Sequence, residues 1–192
     1  VHNYAHALWD TEQIVRILDG EPHPAPSLPI SAGLMHDTGV AIGPYKDHNA
    51  NSGILVRRNL PALGFAPKEV GEIAVAVSEH NGNDHTSLTS RILYDADTLN
   101  KAGVHGIGQC ELVAQERNLD LVGMRDRFLG YFQGLVAKGL YTRAAQKINL
   151  GMGNDTIPDG LQLTLTYWQK IDELLRAGTL NETEIIKRVN TA

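Results

Sequence analysis

The segment VHNYAHAL opens the chain with two histidines four residues apart, so a helix would present His2 and His6 on one face. Further on, GLMHDTG sets His36 and Asp37 side by side at the end of an apolar run. YKDHN supplies His48 just after a loop, and VSEHNGNDH supplies His80 at the end of an apolar helix, followed by His85. LYDADTL embeds Asp95 and Asp97 in an apolar helix. Imidazoles and carboxylates are costly to bury unless they are paired or bind an ion. Converging from several helix edges, these side chains would form a compact nitrogen and oxygen site. Such donors suit zinc, manganese, iron, nickel or cobalt. A plainer reading exists for the His36–Asp37 pair alone. There, Ile30 to Met35 is core, His36 complements the helix dipole in the last turn, and Gly39 closes the helix. The chain also has eight histidines, and loop histidines such as His23 and His85 are ordinarily solvated.

Composition narrows the classes open to the chain. Its 192 residues can bury one substantial core, and 42% hydrophobic with 20% charged residues describes a globular protein. A net charge of -5 gives no whole-chain electrostatic case for nucleic acid as a partner. Cys110 is the sole cysteine, which excludes an internal disulfide and a thiolate zinc site, and fits a reducing, cytoplasmic setting. No stretch approaches the ~20 consecutive apolar residues of a membrane span. A homo-oligomer is compatible with all of this.

The elements that must position the site read as helices. In HALWDTEQIVRILDG, the residues Leu8, Ile14, Val15, Ile17 and Leu18 fall near one face, and Gly20 ends the run. Ser27 to Thr38 is a short apolar helix with Ser27 or Ser31 available as cap. Asn49 to Leu60 ends before Pro61, and Pro67 opens the next helix with Val70, Ile73, Ala74 and Val77 inward. Leu88, Ile92, Leu93 and Leu99 form the stripe of a helix that contains Asp95 and Asp97. Residues 105–117, a long stretch at about 120–148, 161–177 and 182–189 complete the pattern. Sustained strand alternation and internal repeats are absent. The chain reads as all-α, a bundle of roughly seven to nine helices.

Taken in order, His6, the His36–Asp37 pair and Asp97 resemble the H…HD…D signature of the HD-domain superfamily of metal-dependent phosphohydrolases. The resemblance covers roughly residues 2–105, and HDTG is close to the frequent HDIG. HNYAHA also resembles the HNxxHA segment of cyclic-nucleotide phosphodiesterases, which share this metal core. That likeness implies His6 as a ligand and His2 as the general acid. The spacing of DADTL to Leu99 resembles the superfamily's ADxL ending and selects Asp97 over Asp95, which lies on a different helix face. Members with the longer pattern H…HD…H…H…D hold two metals bridged by the aspartate of the pair. His48 and His80 fall in the matching intervals. Where the superfamily often has lysine after the pair, this chain has Val40. Lys46, Lys101 and Arg91 are the alternative cations, each more commonly an ordinary surface residue.

The resemblance implies a single HD-like domain over residues 1–192, with the helices from about 105 onward packed on the motif core. It implies one or two divalent transition-metal ions held by His6, His36, Asp37 and Asp97, with His48 and His80 as further ligands. One tight ion with a second weaker or absent is favoured, because Val40 and a loop-borne His48 depart from the strongest dinuclear patterns. The implied activity is hydrolysis of a nucleotide or other small phosphoester by metal-activated water. Asp37 would orient the water, and His2 or His80 would protonate the leaving group. Loops 20–29, 39–47 and 81–87 would line the pocket mouth. The five-part pattern also resembles di-iron oxygenases on the same scaffold, and a third reading is a non-catalytic, nucleotide-binding regulatory domain.

Overall fold

The structure, a computed structural model, describes residues 4–179. His2 and the helix expected at 182–189 lie outside the described residues. Among the described residues there are nine α-helices and no strand: α1 (Tyr4–Gly20), α2 (Ser27–Met35), α3 (His48–Asn59), α4 (Pro67–Glu79), α5 (Leu88–Leu99), α6 (Gly103–Glu116), α7 (Leu121–Lys138), α8 (Arg143–Leu150) and α9 (Gly160–Arg176). Among these residues no helix is long and apolar enough to cross a membrane. The chain clusters into two units. One comprises the residues through Asn100 together with Leu140–Ile148, and the other Lys101–Gly139 with the chain from Asn149 onward.

In the first unit α5 is the central element. It packs on α1, α2 and α4, and α4 also packs on α3. From Thr89 to Leu99 every residue except Arg91 is buried, as befits a helix enclosed on several sides. Ser87 caps its start by accepting from the Ser90 N–H at 3.0 Å. On α4 the expected residues Val70, Ile73, Ala74 and Val77 are buried. Each buried Val or Ile there contributes about 1.5–3 kcal/mol. Pro67 opens that helix, and the Glu69 carboxylate accepts from the Ala66 N–H at 2.8 Å.

Several sequence expectations are corrected. On α1, Ile14 and Ile17 are buried, but Leu8 and Val15 are exposed. The inward stripe is His6, Ala7, Asp10, Gln13, Ile14 and Ile17, so half of it is polar and only Ile14 and Ile17 of the expected residues are buried in it. Neither Ser27 nor Ser31 caps α2; the position before it is Pro26, with no side-chain cap bond. The long helix expected at 120–148 is broken. Gly139 has φ 70°, a backbone region that favours glycine, and α7 ends there while α8 begins at Arg143. The break is stabilised by Asp95, whose carboxylate accepts from the Tyr141 N–H at 2.8 Å, the Thr142 N–H at 2.7 Å and the Thr142 hydroxyl at 2.8 Å.

The second unit is a more conventional core. Cys110, Leu121, Phe128, Phe132, Leu165, Trp168 and Ile171 form one buried cluster from α6, α7 and α9. Phe128 and Trp168 lie 5.0 Å apart between ring centroids. Arg125 of α7 donates to Asp172 of α9 at 2.5 Å. Burial pushes the Cys110 thiol up to about 12, which leaves it inert as a nucleophile.

Candidate metal centre

The centre is assembled from helix ends in the first unit. α1 contributes His6 and Asp10 one turn apart. The chain leaves α2 through His36 and Asp37, and Asp37 starts a short 3-10 turn over Thr38–Ala41. Gly39 in that turn is needed for close approach rather than to close the helix. A side-chain carbon there would lie 2.1 Å from the His48 carbonyl oxygen and 2.5 Å from the Ser52 nitrogen. Its N–H donates to the Ser52 hydroxyl at 2.7 Å. This contact seats the start of α3 against Asp37. His48 is therefore the first residue of α3 and 4% exposed, not a loop histidine as its sequence context suggests. His80 follows directly on α4, and Asp97 faces inward from α5.

Asp37 stands between two pairs of rings. Its Oδ2 lies 3.3 Å from His6 Nε2 and 3.3 Å from His36 Nε2. Its Oδ1 lies 3.3 Å from His48 Nε2 and 3.5 Å from His80 Nε2. Asp97 Oδ1 lies 3.7 Å from His6 Nε2. Asp10, which the motif pattern does not contain, brings Oδ2 to 3.2 Å from His6 Nε2 and 3.4 Å from His36 Nε2. Its residue exposure is 0%, and the signal that could have found it is its place one turn after His6 on the same helix face. Asp95 is not part of this cluster, since its carboxylate is occupied by Tyr141 and Thr142.

These atoms fit a cation on two counts. Donors sharing an ion at bonds of about 2.1 Å stand roughly 3.0–3.4 Å apart, which matches most of the distances above and exceeds the ~2.7–2.9 Å of charge-assisted hydrogen bonds. The tautomers also agree. His36 Nδ1 donates to the Gly33 carbonyl at 2.8 Å, His48 Nδ1 to the Tyr45 carbonyl at 2.6 Å and His80 Nδ1 to the Val77 carbonyl at 2.7 Å. A carbonyl only accepts, so in the neutral rings each Nε2 presents its lone pair to the centre. His6 Nδ1 meets the side-chain amide of Asn100.

The electrostatics divide along Asp37. For His36 burial opposes protonation, but the hydrogen bond to Asp37 and the carboxylates of Asp37, Asp10 and Asp97 outweigh it and push the ring up to about 9. His48 is raised chiefly by its hydrogen bond to Asp37. His80 is lowered, because its deeper burial dominates the same contact.

Other expected positions have structural roles. The His85 ring is 5% exposed rather than solvated, with its centroid 4.5 Å from that of Tyr94. Arg91 donates to the His85 carbonyl at 3.2 Å and lies over the Tyr141 ring. The His23 side chain is 4% exposed, and its Nε2 lies 3.2 Å from the Thr89 hydroxyl.

No family model and no curated protein matches the chain. Two solved structures are similar. One is a predicted HD superfamily hydrolase from an uncultured Thermotogales bacterium, at 22% identity and TM-score 0.55, with 92% of this chain and 81% of that one covered. The other is Bacillus subtilis YpgQ, at 16% identity and TM-score 0.63, with 88% and 86% covered. At these identities the likeness speaks to architecture alone: the chain shares the all-α fold of these two proteins.

Proposed function

We propose that the chain is a metal-dependent phosphohydrolase acting on a nucleotide or another small phosphoester. The observation that carries this reading is the two-sided placement of Asp37 between the His6–His36 and His48–His80 pairs. His6, Asp10, His36, Asp37 and Asp97 would hold one ion, and Asp37, His48 and His80 a second, weaker one. A bound divalent transition-metal ion supplies the Lewis acidity that makes water nucleophilic near neutral pH and offsets phosphate charge. Asp37 fixes the attacking water in place. His80, whose proton affinity burial lowers, is suited to donate a lone pair rather than a proton. The proton for the leaving group is assigned instead to His2, four residues ahead of His6 in sequence. The similarity to a protein described as an HD superfamily hydrolase supports the same reaction class.

The test is a screen of the manganese-, iron- and zinc-loaded protein for phosphate release from nucleoside mono- and triphosphates, cyclic nucleotides and simple phosphoesters. Release that disappears in His36→Ala supports the reading. Oxygen uptake by the iron-loaded protein without phosphate release would move it to the oxygenase class. Nucleotide binding with no turnover under any metal would make it a regulatory domain.

A further inference from the structure

The His48–His80 side of the centre contains a side chain that the ligand pattern does not include. Asn81 Nδ2 lies 3.1 Å from His48 Nε2 and 3.0 Å from His80 Nε2. The orientation of an amide is ordinarily ambiguous, because its nitrogen and oxygen look alike. Here the backbone resolves it for the neutral rings that a cation requires. In that form His48 and His80 each give their Nδ1 proton to a carbonyl, so both Nε2 atoms are acceptors and the atom between them is the donor NH2. Asn49 Oδ1, 3.2 Å from the same nitrogen, agrees. One amide nitrogen therefore faces the two lone pairs that would bind a second ion beside Asp37 Oδ1.

We infer that Asn81 is a built-in plug of the second cation position. This rests on the reading above that the centre binds metal. A lone pair accepting a hydrogen bond cannot coordinate an ion at the same time, so the amide and the second ion compete for His48 and His80. At the first position the neighbouring amide, that of Asn100, meets His6 at Nδ1 rather than at Nε2. The consequence is one tight ion and a second that enters only when Asn81 swings away. Asn81 can do so, since it is exposed and sits on the turn after α4 rather than within a helix. This gives a structural cause for the unequal affinities that the sequence favours on other grounds.

The experiment uses the full chain, stripped by chelation and titrated with Mn2+ alone, with bound and free ion separated by equilibrium dialysis and electron paramagnetic resonance. The wild type takes up one ion tightly and a second weakly. In Asn81→Ala the second ion binds roughly ten-fold more tightly, the scale of one or two hydrogen bonds removed from competition. The first ion is unchanged. Asn49→Ala, which frees Asn81 from an anchor, shifts the second ion the same way by less. Second-site binding in Asn81→Ala that is unchanged overturns the plug, and weaker binding would show that Asn81 serves as a ligand through its oxygen. Two ions of equal affinity in the wild type also overturn it while leaving the metal reading intact. No ion in the wild type removes both. Circular dichroism of each variant confirms the fold, and the unchanged first ion serves as an internal control.

Discussion

The two units of the chain solve the burial problem in opposite ways. The second encloses Phe128, Phe132, Leu165, Trp168 and Ile171, which need no partner beyond one another. The first encloses His6, Asp10, His36, Asp37, His48, His80, Asp95 and Asp97 among its apolar residues. Buried imidazoles and carboxylates stabilise nothing by themselves. Asp95 is met by three donors from 141–142, which offset part of the cost of its burial. The remaining carboxylates converge on histidine lone pairs, an arrangement that a cation relieves. The comparison sets a purely apolar core beside a mixed one, for the first unit also buries Ile14, Ile17, Ile73, Ile92, Leu93 and Leu99. In the proposed reading a cation would complete the polar part of that mixed core.

The largest effect should come from Asp37→Ala, which removes both oxygens that join the ring pairs. Metal content measured by elemental analysis should fall strongly and any phosphate release by more than about 10³-fold, since the carboxylate holds both the ion and the attacking water. Unchanged metal stoichiometry after equal purification would remove Asp37 from the centre. Next is Trp168→Ala, the mirror experiment in the other unit. It should cost about 3–5 kcal/mol of stability by cavity formation, with metal content per folded chain unaltered. A single thermal transition that shifts as a whole would support the expectation that residues 1–192 behave as one domain. Two transitions, only one of which moves, would oppose it.

Asp10→Asn sharpens the comparison from within the first unit. It preserves shape and removes one carboxylate that stands against His6 and His36. Affinity for the first ion should fall about 10- to 100-fold, while the second ion is little affected. Equal loss at both positions would show that Asp10 acts through general unfolding. The smallest effect is on pH dependence. The ion-free His36 ring titrates at about 9, above its ordinary value of 6.5. Because the folded value is the higher one, its contribution to stability without metal is present below 6.5 and is lost as pH rises through 9. Metal must displace that proton, so affinity should rise by up to tenfold per pH unit and level off above about 9. Opposite slopes for ion-free stability and for metal affinity, by calorimetry, are the expected result. Parallel slopes would show that His36 is not a ligand.

Helices were legible wherever apolar spacing dominated, as in α4, where Val70, Ile73, Ala74 and Val77 are the buried residues. The same rule failed on α1, because half the inward stripe there is polar and Leu8 and Val15 imitate a core face. Asp10 was passed over although it lies on the face of Ile14 and Ile17, because an acid is not counted toward an apolar stripe. The pairing of His36 with His6 and of His48 with His80 across Asp37 depends on close approaches such as that of Gly39 to α3, which no local pattern encodes. Asn81 was invisible for a different reason: an asparagine in a polar turn carries no signal until the tautomers of its neighbours are known. The break at Gly139 could have been anticipated from KGLYT, where glycine interrupts an otherwise helical run.

The return of Leu140–Ile148 to the first unit has a consequence in time. A chain synthesised from its amino terminus completes His6 through Asp97 early, but the donors for the Asp95 carboxylate lie at Tyr141 and Thr142. Until those residues leave the ribosome, the central helix carries an acid that cannot be buried without protonation. Burial holds that acid at about 6 even when its donors are in place. The central helix, and with it Asp97, is therefore expected to settle fully only once some forty intervening residues have been made. A fragment cut after Gly139 would keep every proposed ligand and still lack the segment that lets α5 settle. The pair Tyr141–Thr142, just ahead of α8, is thus the latch of the helix that carries Asp97.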